Sequence, residues 1–161
     1  DLTTAMGINR PSLYAAFGNK EALFKKVVES YCSSSRGWER KFIESPSARE
    51  AIAHMLLFGA AAVDSEWPQG CLLVKGALAC SEESSAVQAE LSNRRADTEA
   101  LLRRRLERAK LEGELPPESD PADLARYFAT VMQGFSVQAV GGASAEELKR
   151  VAEMAMRVWP E

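Results

Sequence analysis

LTTAMGINRPSLYAAFGNKEALF, residues 2–24, is the stretch from which the rest of the chain is best read. Residues 1–7 have the pattern of a helix end stopped by a glycine, with Leu2, Ala5 and Met6 forming its apolar face. Ile8 and Asn9 follow, then a second short helix over residues 10–17 that Gly18 closes. Two short helices joined by a tight glycine-containing turn make a helix-turn-helix. In that geometry Ile8, Leu13 and Phe17 point inward, while Arg10, Pro11, Ser12, Tyr14 and Ala15 point outward. Small and polar residues at the start of the second helix suit a helix that enters a major groove N-terminus first. The same spacing also fits an ordinary helical hairpin in which Pro11 is a first-turn proline.

Working outward, helix signals recur and strand signals do not. Asn19 is placed to cap a helix carrying Ala22, Leu23, Val27 and Tyr31 beside Phe24 and Val28. Ser47 and Glu50 have capping-box spacing and open an apolar helix over residues 48–65, ended by the turn at 67–70. A helix near 70–81 is expected next, then a long one over 85–112 with Gly113 at its C-terminal cap and Pro116 and Pro117 beyond. Asp120 followed by Pro121 opens a helix to residue 140, where Gly141 and Gly142 end it. Ser144 and Glu147 form a second capping box, and the last helix is expected to run to Trp159. The predicted fold is all-α.

Composition narrows the function. Hydrophobic residues at 46% and charged residues at 27% give the balance of a soluble globular protein, which excludes global disorder. The longest nearly apolar stretch, residues 51–63, is too short to span a bilayer. With no secretion-type leader and three cysteines (Cys32, Cys71, Cys80), a cytoplasmic protein with reduced thiols and no membrane partner is expected. The net charge is −3, yet residues 1–26 set Arg10, Lys20, Lys25 and Lys26 against only Asp1 and Glu21. A basic N-terminal head on an acidic body fits phosphate binding by the head alone.

Residues 2–24 closely resemble the helix-turn-helix of TetR-family (tetracycline-repressor-like) transcriptional regulators. Gly7, the Leu13–Tyr14 pair, Phe17 and the Asn19-Lys20-Glu21 start of the next helix carry the likeness. The rest, including PQGCLLVKGAL at 68–78, looks like that family's C-terminal regulatory domain. The resemblance implies an incomplete helix-turn-helix DNA-binding domain over residues 1–30 and a helical ligand-binding and dimerisation domain over 31–161. The first helix and most of the second of the family's three-helix unit are expected to lie outside this chain, which begins at Asp1 without a Met. Carried over by position, Tyr14, Lys20 and Thr4 would hold backbone phosphates, Lys20 helped by a helix N-terminus. Arg10, Pro11, Ser12 and Ala15 would approach base edges, Arg10 being able to pair bidentately with guanine.

Other chemistry is sparse. Arg94, Arg95 and Arg103 to Arg105 share the long helix with Glu90, Glu99 and Glu107, so the pairs Glu90–Arg94 and Glu99–Arg103 predict a solvated, salt-laced face. His54, the only histidine, is expected in a core or pocket; no metal site, catalytic set or cofactor fingerprint accompanies it, so no enzyme is expected. Cys71 and Cys80 are read as core thiols, with a thiol-based redox or electrophile sensor as the alternative. The resemblance places Met55, Phe58, Trp67, Cys71, Phe128 and Met132 around a cavity for a small apolar effector, though a solid core would use the same residues.

The last two helices carry more apolar surface than one core needs. Leu124, Tyr127, Phe128, Val131, Met132 and Phe135 spread over an arc of roughly 220°, against the roughly 100° that one core contact needs. Leu148, Val151, Ala152, Met154, Ala155 and Val158 do the same in the last helix. A homodimer through Phe128, Val131, Phe135, Leu148, Val151, Ala155 and Val158 is therefore expected, with intrachain cover by other helices as the competing arrangement. Together these readings predict a ligand-responsive regulator, a repressor that binds duplex operator DNA as a pair. An all-α binding or assembly module without DNA is the competing class.

Overall fold

The computed structural model describes residues 2–35, 37–64, 70–79 and 84–160. Among these, nine α-helices follow one another: α1 Leu2–Met6, α2 Arg10–Phe17, α3 Lys20–Ser35, α4 Gly37–Glu44, α5 Ala48–Ala61, α6 Leu72–Ala79, α7 Ser85–Leu111, α8 Pro121–Val140 and α9 Ala145–Ala155. Short 3₁₀ turns follow α5 at Ala62–Asp64 and α9 at Met156–Val158. The described residues contain no strand, and the fold is all-α as the sequence predicted.

The caps explain the boundaries. Asp120 Oδ1 accepts from the backbone N–H groups of Ala122 (2.7 Å) and Asp123 (3.2 Å), with Pro121 in the first turn. Ser144 and Glu147 form a complete capping box, whereas at Ser47 only the forward bond from Glu50 N forms. After α7 the chain turns at Gly113 (φ +80°), where Glu114 N reaches back to Ala109 O and satisfies a terminal carbonyl. α9 stops at Ala155, earlier than Trp159, because the chain tightens into a 3₁₀ turn that brings Trp159 into the core beside Phe128.

α5 is the centre of the body. Its Ala48, Ala51, Ile52, Met55, Leu56 and Ala60 are buried against α7, α8 and α9. α7 and α8 run along one another and share Leu102, Leu106, Ala125 and Phe128 with that core. Helix α4 escaped the sequence reading, since Trp38 and Phe42 are isolated among charged residues; the two rings meet edge-on at 5.8 Å and Phe42 joins the core. The expected boundary at residue 30 falls inside α3, which continues from the head into the body.

Three sequence expectations are corrected. His54 is exposed rather than in the core or a pocket, because α5 turns residues 51, 52, 55 and 56 inward and 54 away. Arg103 pairs with Glu107 at 2.7 Å, not with Glu99, which instead ties α7 to α8 through Arg126 at 2.9 Å. Arg105 is buried: successive helical residues lie 100° apart, so three consecutive arginines cannot share one solvated face. The expected Glu90–Arg94 pair does form, at 2.8 Å.

Two cap carboxylates should set the acid limit of stability. Backbone N–H groups hold Asp120 below its ordinary 3.8, and the backbone N–H and hydroxyl of Ser144 hold Glu147 below its ordinary 4.5. A lowered folded-state value means stability that is present above the unfolded value and lost as pH falls through the folded one. The melting midpoint should therefore fall on acidification below about pH 4. Asp120→Asn keeps an acceptor without the titration, so its acid-range melting profile should be flatter than that of the parent. Equal slopes in a thermal scan across that range would refute this assignment.

Candidate nucleic-acid interface

The head is built by its turns. Gly7 takes φ +64°, and Ile8 N and Gly7 N donate back to Thr3 O (3.1 Å) and Thr4 O (3.2 Å), closing α1 and redirecting the chain. Asn9 then caps α2, its Oδ1 accepting from Ser12 N at 2.8 Å. The sequence reading missed this cap, although Asn followed two residues later by Pro at a helix start is its usual signature. Asn19 caps α3 in the same way, accepting from Ala22 N at 2.8 Å, as predicted.

These turns fix which side of α2 is hidden. Leu13 is its one buried residue, and α2 packs on α3, where Val28 is fully buried. Ile8 and Phe17 are half-buried on the same inner side. Arg10, Pro11, Ser12, Tyr14 and Ala15 are all exposed on α2, as are Thr4 on α1 and Lys20 at the start of α3. Leu2, Ala5 and Met6, expected as the apolar face of α1, are exposed as well, and α1 has no buried residue.

Charge sharpens the arrangement. Lys25 is held by Glu21 at 3.0 Å, a contact that raises the Lys25 ammonium above its ordinary value. No described residue forms an ion pair with Arg10 or Lys20, so both cations are available to an anion outside the chain. Lys20 lies beside the first N–H groups of a sixteen-residue helix, where the dipole also favours negative charge. A polyanion approaching this face would meet a phenol, a guanidinium and an ammonium on a capped, outward-facing helix pair.

The other expected sites are dispersed. Met55 and Phe128 are buried in the core, Phe58 is 56% exposed, and Met132 is half-buried beside Gly59. Cys71 is half-buried at the start of α6, and Trp67 lies outside the described residues. Of the described ones, none lines either of two concavities on the body. One, of about 280 Å³, is formed by Arg49, Glu153, Met156, Arg157 and Trp159. The other, of about 360 Å³, is a groove between α8 and α9 that includes Val131, Gly134, Phe135, Leu148 and Val151. Of the expected dimer residues, Phe128, Phe135, Leu148 and Ala155 are buried within their own chain, Val131 is half-buried, and Val151 and Val158 are exposed. Val137, Val140 and Met154 add exposed apolar surface on the same two helices.

Comparison with known proteins gives the same outline. Residues 48–155 match the family described as Tetracyclin repressor-like, C-terminal domain. The HTH-type transcriptional repressor ComR of Escherichia coli is 34% identical over 166 aligned positions, covering all of this chain and 78% of ComR. The repressor BdcR of the same organism is 26% identical, over 96% of this chain and 75% of BdcR. Among solved structures, a cysteine mutant of the TetR family transcriptional regulator CifR, complexed with 26-bp double-strand operator DNA, superposes with a TM-score of 0.94. It is 42% identical and covers 99% of this chain and 84% of its own.

Proposed function

Because this chain belongs to the TetR family of transcriptional regulators, we propose that it represses transcription by binding operator DNA through α1 and α2 as a homodimer. The observation that carries the proposal is the exposed face of α2, where Arg10, Pro11, Ser12, Tyr14 and Ala15 stand together on a helix capped by Asn9. Residues 1–30 supply the reading head and 31–161 the regulatory and dimerisation body, with α3 as the lever between them. Tyr14, Lys20 and Thr4 hold phosphates and set register; Arg10, Pro11, Ser12 and Ala15 read base edges.

Two copies joined through α8 and α9 present two heads, which must meet the major groove about 34–36 Å apart or at a comparable fixed spacing. The exposed Val151 and Met154 on α9, Val158 in the 3₁₀ turn after it, and the groove beside Gly134 support that seam. A Cβ on Gly134 would meet nothing within 4 Å in its own chain, which leaves room for a crossing helix. A small apolar effector that fits only the non-binding head separation would release the operator by shifting the population. Met55, Met132 and Cys71, on or beside α5, α8 and α6, are the candidate contacts for it. The protein acts by binding rather than by catalysis and works in the cytoplasm; among the described residues no helix is long and apolar enough to cross a membrane.

Substitutions in the full-length protein separate the roles. Tyr14→Ala should weaken binding to every duplex by a similar factor, since phosphate contacts carry no sequence information. Arg10→Ala should relax preference at one base pair, by about 1–3 kcal/mol. Binding titrations against a panel of single-base operator variants measure both. If neither substitution changes affinity or preference, α2 is not the reading helix, and a helical assembly module becomes the better account.

A further inference from the structure

The concavity of about 280 Å³ lies where the first turn of α5 meets the end of α9, and neither operator binding nor the α8–α9 seam uses it. Arg49 of α5 lines it together with Glu153 of α9, Met156 and Arg157 of the 3₁₀ turn, and Trp159. It is far from the head. Leu91, near the start of α7, packs beside Gly76 and Phe24 at the junction of α6 with α3. The other end of α7 leads to Glu114, which holds Ala48 N, next to Arg49. The helix between Leu91 and Leu111 spans about 30 Å and separates the two places.

The charges around this concavity are uncommitted. Glu146 holds Arg150 at 3.0 Å earlier in α9, and Glu153 and Arg157 have the same spacing. That second pair does not form, because the chain tightens into a 3₁₀ turn at Met156 and each residue there advances about 120° rather than 100°. Arg157 is thereby turned out of line with Glu153. No described residue forms an ion pair with Arg49, Glu153 or Arg157, although all three border one concavity. Arg49 also stands in the first turn of α5, where the helix dipole is positive and a cation is disfavoured within the chain. An anion from outside relieves that repulsion. Glu153 lies about 200° round α9 from Val151, so the concavity faces away from the proposed seam and stays open in the pair.

We propose that Arg49 and Arg157 bind a small organic monocarboxylate whose apolar body rests on Met156 and the edge of Trp159, bridging α5 and α9. The guanidinium fork matches a carboxylate in two parallel hydrogen bonds. Glu153 on the same rim repels a second negative charge, so a monoanion is preferred to a phosphate dianion. Met156 is half-buried and Trp159 nearly buried beside Phe128, which makes the floor apolar and fixed. The volume is near the lower limit of about 300 Å³ for ligand pockets, which suits an acid with one ring or a short chain. Both guanidinium groups are exposed, so binding weakens as salt is raised.

The experiment titrates full-length protein with sodium benzoate and follows the indole N–H signals by NMR, the Trp159 signal being the one lost in Trp159→Phe. The expected result is a saturable shift of that signal at millimolar benzoate, with none for benzyl alcohol, which has the ring without the charge. Arg49→Ala and Arg157→Ala should each weaken benzoate at least tenfold, with circular dichroism unchanged because both side chains are exposed. Arg49→Lys should restore only part of the affinity, since an ammonium keeps the charge without the fork. Inorganic phosphate should bind more weakly than benzoate to the parent, and Glu153→Gln should narrow that difference. A Trp159 signal that benzoate does not move, or moves equally in both alanine variants, would overturn the site. An equal response to benzyl alcohol would show an apolar slot rather than a carboxylate site, and phosphate binding more tightly than benzoate would overturn the monocarboxylate preference. None of these readings requires DNA, so a failure of operator binding leaves the test intact.

Discussion

Val151→Arg should convert the full-length protein to a monomer and lower operator affinity by about 10²–10⁴-fold, the range that joining two binding heads contributes. Val151 is 44% exposed on α9 and borders the groove that Gly134 and Val131 form on α8. In a lone chain the arginine reaches solvent, so the fold survives. In the proposed seam it would be desolvated without a partner, and the assembly separates. Sedimentation velocity at micromolar concentration, with circular dichroism to verify the fold, reads the effect. A parent that already sediments as a monomer, or a variant that remains a dimer, removes α9 from the interface.

The second large effect is inside the body. Glu114 Oε1 accepts from Arg105 Nη2 at 3.2 Å and its Oε2 from Ala48 N at 2.6 Å, joining the end of α7 to the first turn of α5. The Arg105 side chain is only 5% exposed, and its Nε and Nη1 are buried with no hydrogen-bond partner. Glu114→Ala therefore leaves a buried guanidinium without its counter-charge, which costs about 3–5 kcal/mol. For a domain of this size the melting midpoint falls by on the order of 10 °C. Arg105→Met, which removes the charge and keeps apolar volume, should be much milder. Equal losses in chemical denaturation of the two variants would show that packing, not charge, governs this site.

The sequence revealed what local chemistry determines and concealed what tertiary packing determines. Gly7, Gly18, Asn19, Gly113, Asp120 and Ser144 announce their turns because each does a job few residues can do, and all are found where expected. The exposed set on α2 was legible for the same reason: a two-turn helix with one buried leucine leaves little choice of face. Arg105 was not legible, because its partner Glu114 lies in a turn nine residues on and nothing local marks the bond. Nor was the way α8 and α9 divide their apolar surface. The projection counted Phe128, Phe135, Leu148 and Ala155 as surplus, yet the core consumes them all, and the exposed remainder is Val137, Val140, Val151, Met154 and Val158.

The central claim is that α2 and its neighbouring turns read duplex DNA. Its most direct test is the affinity of the full-length protein for the DNA flanking its own gene, measured across a series of salt concentrations against an unrelated duplex. The account predicts saturable binding by two chains per site and preference for the flanking DNA. The logarithm of affinity should fall linearly with that of salt, with a slope of about −0.9 per phosphate contacted. Affinity that is equally weak for both duplexes, or binding indifferent to salt, would contradict it.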